Sequence, residues 1–143
     1  MEKSIKAEDI RALFALEPED IRSYSPLTLA YVGDAVYELV IRTMIISKGN
    51  APVNKLHKRS AALVKAAAQA QMMKVIEPLL SEEELHIYKR GRNAKSYTSA
   101  KNASVIDYRI ATGFEALMGW FYLQERQERM LELIKMGLNE LPQ

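Results

Sequence analysis

Eighteen consecutive residues, LAYVGDAVYELVIRTMII (29–46), carry only three charges, and these fall on one line. Asp34, Glu38 and Arg42 are spaced i, i+4, i+8, so on an α-helix they share one narrow face while the rest of the circumference is largely apolar. The run is too long for an ordinary strand and too charged to span a membrane. It predicts a central helix, wrapped by others and open to the outside through one slit. Gly33 and Asp34 both cost helix propensity. A glycine there lets a second helix or a ligand approach closely, and a carboxylate beside it on a rigid helix faces whatever arrives.

The remaining chain reads as helix throughout. No segment alternates with period two, and no Asn-Gly or Asp-Gly pair signals a hairpin. A short helix is expected over 7–15, and another opens at Pro18 over 18–22. Ser25-Pro26 is a cap followed by proline at the first helical position, opening the helix that runs to about Ser47. Gly49-Asn50 stops it. Pro52 starts one continuous helix over 52–76, which Pro78 ends. The SEEE run at 81–84 is a capping box opening a helix that ends near Arg90-Gly91. Residues 91–102, GRNAKSYTSAKN, read as the one substantial loop. A helix over 103–123 has Ile106, Ile110, Phe114, Leu117 and Phe121 as its core stripe, and an amphipathic helix closes the chain at 125–140. The expectation is an all-α helical bundle, residues 1–143 forming a single domain.

A second apolar helix repeats the oddity of the first. In ATGFEALMGWFYLQ (111–124), Glu115 is the only charge, bracketed by Gly113 and Gly119. Two apolar helices, each with an isolated acid near a glycine, predict a close crossing at which Asp34 and Glu115 meet. Paired carboxylates bind Mg²⁺, with water completing the coordination shell, and such a metal can activate water and stabilise charge on a phosphate. The basic residues point to the same substrate. Segments 39–76 and 85–109 together hold thirteen bases and one acid, Asp107, a distribution suited to a polyanion. Lys58, Arg59, Arg90, Arg92, Lys95 and Lys101 are the candidate phosphate contacts, with Lys55 and Lys65 behind them. Joined to the acid pair they suggest a metal-dependent nuclease.

Other chemistries find little support. With no cysteine, disulfides, thiolate metal sites and a cysteine nucleophile are excluded. His57 and His86 match no ligand spacing, and neither a phosphate loop nor a nucleophile elbow is present. The charged N-terminus lacks the apolar core of a signal peptide, so the expected location is cytoplasmic, with no membrane association.

LAYVGDAVYELVIR resembles the first signature of ribonuclease III endonuclease domains, FEALMGWFYL resembles the second, and KRGRNAKS is similar to the basic segment that precedes it. The likeness covers nearly the whole chain. It matches the short form of the family, which has the endonuclease domain and no separate double-stranded-RNA-binding domain, since the length leaves no residues for one. The resemblance implies that Asp34 and Glu115 are catalytic and bind Mg²⁺, one or two ions. Two acids of the family's pattern are replaced, by Ala30 and Thr112, so metal should be held more loosely. Asp107 is a poor substitute, about 80° around the helix from Glu115. The resemblance also implies a homodimer that cuts both strands of an RNA duplex and matures the ends of 23S ribosomal RNA precursor, with precursor ribosomal RNA and a ribosomal protein as partners. The glycine-flanked helix 103–123 is a candidate part of the dimer interface, the alternative being that it is simply core. The alternative reading is a catalytically inactive ribonuclease III-like module that binds RNA or scaffolds a complex.

Overall fold

Ser25 and Pro26 open the longest helix as expected. The Ser25 hydroxyl accepts from the Thr28 N–H at 3.2 Å, and Pro26 takes the position where its missing N–H costs nothing. The computed structural model describes residues 2–95 and 104–142, and over these it is all-helical, as the sequence predicts. The helices are α1 (Ala7–Leu13), α2 (Pro26–Ile46), α3 (Val53–Val64), α4 (Ala66–Ile76), α5 (Glu82–Asn93), α6 (Val105–Leu123) and α7 (Gln127–Leu138). Short 3-10 turns lie at Ile21–Ser23 and Glu77–Leu79. The first of these replaces the helix expected over 18–22. Asp20 caps it, and Pro18 precedes it.

The centre of the bundle is α6, not α2. Residues 111–114 and 116–121 of α6 are buried around its whole circumference, and α2, α4, α5 and α7 pack about it. Phe114, Leu117 and Phe121 are fully buried as expected, whereas Ile106 in the first turn is exposed. Helix α2 buries only the stripe Leu29, Ala30, Gly33, Tyr37, Ile41 and Ile45. Leu27, Tyr31, Leu39 and Ile46 stay exposed on its outer side, Tyr31 at 82%. The sequence expectation took apolar side chains all round α2 for burial within one chain, and four large ones face outward. Helix α6 is core between Ala111 and Phe121, and Val105 and Ile106 in its first turn are exposed.

The segment expected as one helix over 52–76 is two. Lys65 adopts an extended conformation (φ −63°, ψ 155°) between α3 and α4. The break would orphan carbonyls at the end of α3. Two buried side chains satisfy them: the Tyr37 hydroxyl donates to the Leu63 carbonyl at 2.8 Å, and Gln69 Nε2 donates to the Val64 carbonyl at 2.9 Å. The turn therefore depends on tertiary partners, which a local reading of KAAAQA does not show.

At the far side of α6 the Ser81–Glu84 capping box forms as predicted. Glu84 then does a second task. Its carboxylate takes a bidentate pair from Arg129 of α7 (Nε 3.0 Å, Nη2 2.9 Å), and Arg129 also donates to the Leu79 carbonyl. These hydrogen bonds, Arg129 foremost, hold the Glu84 carboxyl below its usual range, so a buried acid stays ionised and ties α7 to the start of α5. Helix α5 runs through Gly91 to Asn93, past the expected stop. Gly91 is a packing residue: a Cβ on it would meet Ala116 Cβ at 2.8 Å and Gly113 Cα at 2.9 Å. Residues 91–93 therefore belong to the helix and not to a loop, while 96–103 lie outside the described residues.

Candidate functional site

Two glycines bring the acids together. A Cβ on Gly33 would sit 1.7 Å from the Glu115 carbonyl oxygen, and one on Gly119 would sit 2.0 Å from the Leu29 carbonyl oxygen. Helices α2 and α6 thus cross backbone on backbone at residues 33 and 115. Asp34 follows Gly33 directly, so its carboxylate is delivered to Glu115, as the paired-acid reading requires. Asp34 is exposed and Glu115 half-buried. Burial pushes the Glu115 carboxyl up to about 8, with the negative charges of Asp34 and, more weakly, Glu38 adding to it and a hydrogen bond from Gln69 opposing it.

Glu38 is partnered. Arg42 Nε donates to its Oε2 at 3.0 Å, and Nη2 stands 2.8 Å from the same oxygen in an i, i+4 ion pair. Ala30 is buried and offers no donor atom, and the Thr112 hydroxyl is turned back on its own helix, donating to the Tyr108 carbonyl at 3.0 Å. Neither contributes an oxygen to the acid pair.

The chemistry of these donors fits a hard divalent cation. Both groups offer carboxylate oxygens, and the cost of ionising Glu115 beside Asp34 is what a bound cation would relieve. Among the described residues no three or more His, Cys, Asp or Glu side chains converge as a metal cage. A cation here would keep much of its water, as Mg²⁺ does.

A pH dependence follows for the metal-free protein. The native state retains a proton on Glu115 that the unfolded chain releases near the ordinary value of 4.5. Native protein therefore binds more protons than unfolded protein from there up to about 8, and stability falls as pH rises through that window. Thermal melts in chelator should decline across it, and Glu115→Gln should flatten the decline. An identical slope in both proteins would contradict the raised carboxyl.

Of the basic candidates, Arg90 and Arg92 flank Gly91, which packs on Thr112, Gly113 and Ala116 of α6. Arg92 stacks on Tyr88 at 5.6 Å from the ring centroid. Lys95 follows α5 and is exposed. Lys58 and Arg59 are exposed on α3, where Arg59 lines a cavity with Met44 and Lys48 near the C-terminal end of α2, about 15 Å along that helix from Asp34. Lys101 lies outside the described residues. Sequence reasoning missed Gln69, whose Nε2 donates to Glu115 Oε2 at 3.2 Å. The available signal was a lone amide on the helical stripe it shares with Met72, Met73 and Ile76.

Residues 27–126 match the model of the Ribonuclease III domain. The chain is 53% identical to a Mini-ribonuclease 3 of Clostridium tetani over 85% of its own length and 81% of that protein's. It is 51% identical to the Mini-ribonuclease 3 of a Thermoanaerobacter species, covering 86% of this chain and 87% of that one. A crystal structure of a Fusobacterium nucleatum protein superposes with a TM-score of 0.76 at 36% identity, covering 85% of this chain and 97% of that one.

Proposed function

The chain belongs to the ribonuclease III family and is an endoribonuclease of double-stranded RNA, and from that premise we propose that Asp34 and Glu115 hold the Mg²⁺ on which cutting depends. The observation that carries this reading is the α2–α6 crossing, where Gly33 seats Asp34 against a carboxyl that burial and like charge make reluctant to ionise alone. When bound, Mg²⁺ supplies a water of lowered pKa and neutralises charge on the scissile phosphate. The protein's part is to hold the two carboxylates on rigid helices. Glu38, locked by Arg42, adds negative potential without reaching in as a third ligand.

Duplex RNA is held by its phosphates. Arg90, Arg92 and Lys95 at the end of α5 are the first contacts, and Lys101 follows in the same chain segment. Lys58 and Arg59 form a more distant second set. A-form RNA presents phosphates and 2′-hydroxyls across a shallow minor groove, so recognition is of shape. The natural substrate is the duplex at the ends of 23S ribosomal RNA precursor, and a ribosomal protein on that RNA is the partner that would present it.

The active form is a homodimer. The exposed apolar line Leu27, Tyr31, Leu39 and Ile46 on α2 is the face that a second copy covers. Two related sites then address the antiparallel strands. No helix among the described residues is long and apolar enough to cross a membrane.

One experiment tests the reading: wild-type protein is incubated with a long RNA duplex and with its single strands, with and without Mg²⁺, over a salt series, and its mass is taken by sedimentation. Cutting of the duplex alone, only with Mg²⁺, by a dimer whose affinity drops steeply with salt is the expected result. Metal-independent cutting, or affinity flat with salt, would refute the metal site or the phosphate contacts respectively.

A further inference from the structure

We propose that Gln69 is a positioning residue for the metal site: its amide clamps Glu115 in the orientation that receives the cation, and its carbonyl oxygen accepts a hydrogen bond from a water on that cation. The inference rests on the metal-site reading above and adds to it a residue that no acid pattern contains.

Gln69 is 1% exposed, in the first turns of α4. Its Nε2 reaches two acceptors, the Val64 carbonyl at 2.9 Å and Glu115 Oε2 at 3.2 Å. The Val64 carbonyl can only accept, so it fixes which end of the amide points where. The other end, Oε1, is buried without a hydrogen-bond partner, alone in this among the buried side-chain atoms of the described residues. A buried acceptor left unpaired is destabilising. Nε2 has a structural task at the Val64 carbonyl, but no group among the described residues accounts for Oε1, on an amide that touches a candidate ligand.

The chemistry of the clamp suits the task. A neutral N–H donor takes one lone pair of Glu115 Oε2 and leaves the charge of the carboxylate, and its second oxygen, for a cation. A lysine or arginine in the same place would cancel that charge and compete with the metal. The clamp is itself anchored by the main chain, because the α3–α4 break exposes the Val64 carbonyl that holds Nε2. A water bound to a divalent cation is a strong donor, which is what Oε1 lacks.

The test uses Mn²⁺ alone as probe, its binding followed by electron paramagnetic resonance, on wild type, Gln69→Met, Gln69→Asn and Glu115→Gln. Methionine keeps the length and loses both polar atoms, while asparagine keeps the amide and falls one carbon short. Both are expected to weaken Mn²⁺ on the order of 10–100-fold, as loss of an outer-shell partner does. Metal-free Gln69→Met also leaves the Val64 carbonyl unpaired, so it should melt somewhat below wild type but in one cooperative step, and binding measured well below that melt is not explained by a general loss of structure. Its cleavage of duplex should recover at high Mg²⁺, placing the defect in metal affinity. Wild-type Mn²⁺ affinity in both Gln69 variants, with binding lost in Glu115→Gln, overturns the inference and leaves the acid pair standing. Equal binding by wild type and Glu115→Gln overturns both.

Discussion

Asp34→Asn is expected to fold normally and to lose cleavage of duplex RNA by roughly 10³-fold or more, since a metal supplies several kcal/mol of transition-state stabilisation and each 1.4 kcal/mol is a tenfold rate. The replacement has the same shape. It removes one negative charge and turns a carboxylate oxygen into a neutral, weaker ligand. Asp34 is exposed, so the change buries nothing and opens no cavity. Its charge is also one of the causes that raise the Glu115 carboxyl, so removing it relieves the metal-free site. Loss of activity should therefore come with unchanged or slightly raised thermal stability. Single-turnover cleavage with saturating enzyme separates the chemical step from RNA binding, and binding itself should survive, because it rests on the arginines and lysines of the basic segments. Cutting at the wild-type rate would remove Asp34 from the site.

This prediction could be framed from sequence because the acid pair announces itself. Asp34 and Glu115 are isolated charges in apolar helices, each near a glycine, and glycines in helix interiors invite explanation by close approach. Local rules also gave the helix starts at Ser25-Pro26 and Ser81, where the caps are made by neighbouring residues. The misses share a different cause. The break at Lys65 has no glycine or proline, and it is held open by Tyr37 and Gln69 from 26 residues away and from the next helix. Gly91 reads as a stop but is spent on the contact with α6, and the helix simply continues. The apolar outer side of α2 reads as core because composition does not say which faces of a helix its neighbours cover. Each of these depends on a neighbour distant in sequence, which periodicity does not report.

The same crossing makes Gly33→Ala a strongly damaging substitution. By helix propensity alone the change should stabilise α2 by about 1 kcal/mol. Here the new methyl would stand 1.7 Å from the Glu115 carbonyl oxygen and 2.7 Å from the Gly119 amide nitrogen. Both are backbone atoms of a buried helix, so no side-chain rotation can clear them. Helices α2 and α6 must separate, exposing contacts along the whole crossing, Leu29 and Phe114 included. A cost of about 3 kcal/mol or more is expected, the upper end of overpacking effects, and it reverses the sign that propensity gives. Gly119→Ala should behave alike, since its methyl would meet the Leu29 carbonyl oxygen at 2.0 Å. Whatever protein still folds should bind metal poorly, because moving the helices apart carries Asp34 away from Glu115, and a shift of about 1 Å can cost two orders of magnitude in rate. Urea unfolding followed by circular dichroism gives the stability, and Mn²⁺ binding to the folded fraction gives the site. A Gly33→Ala protein as stable as wild type would mean that the two helices do not touch at this point, and the geometry that joins the acids would fail with it.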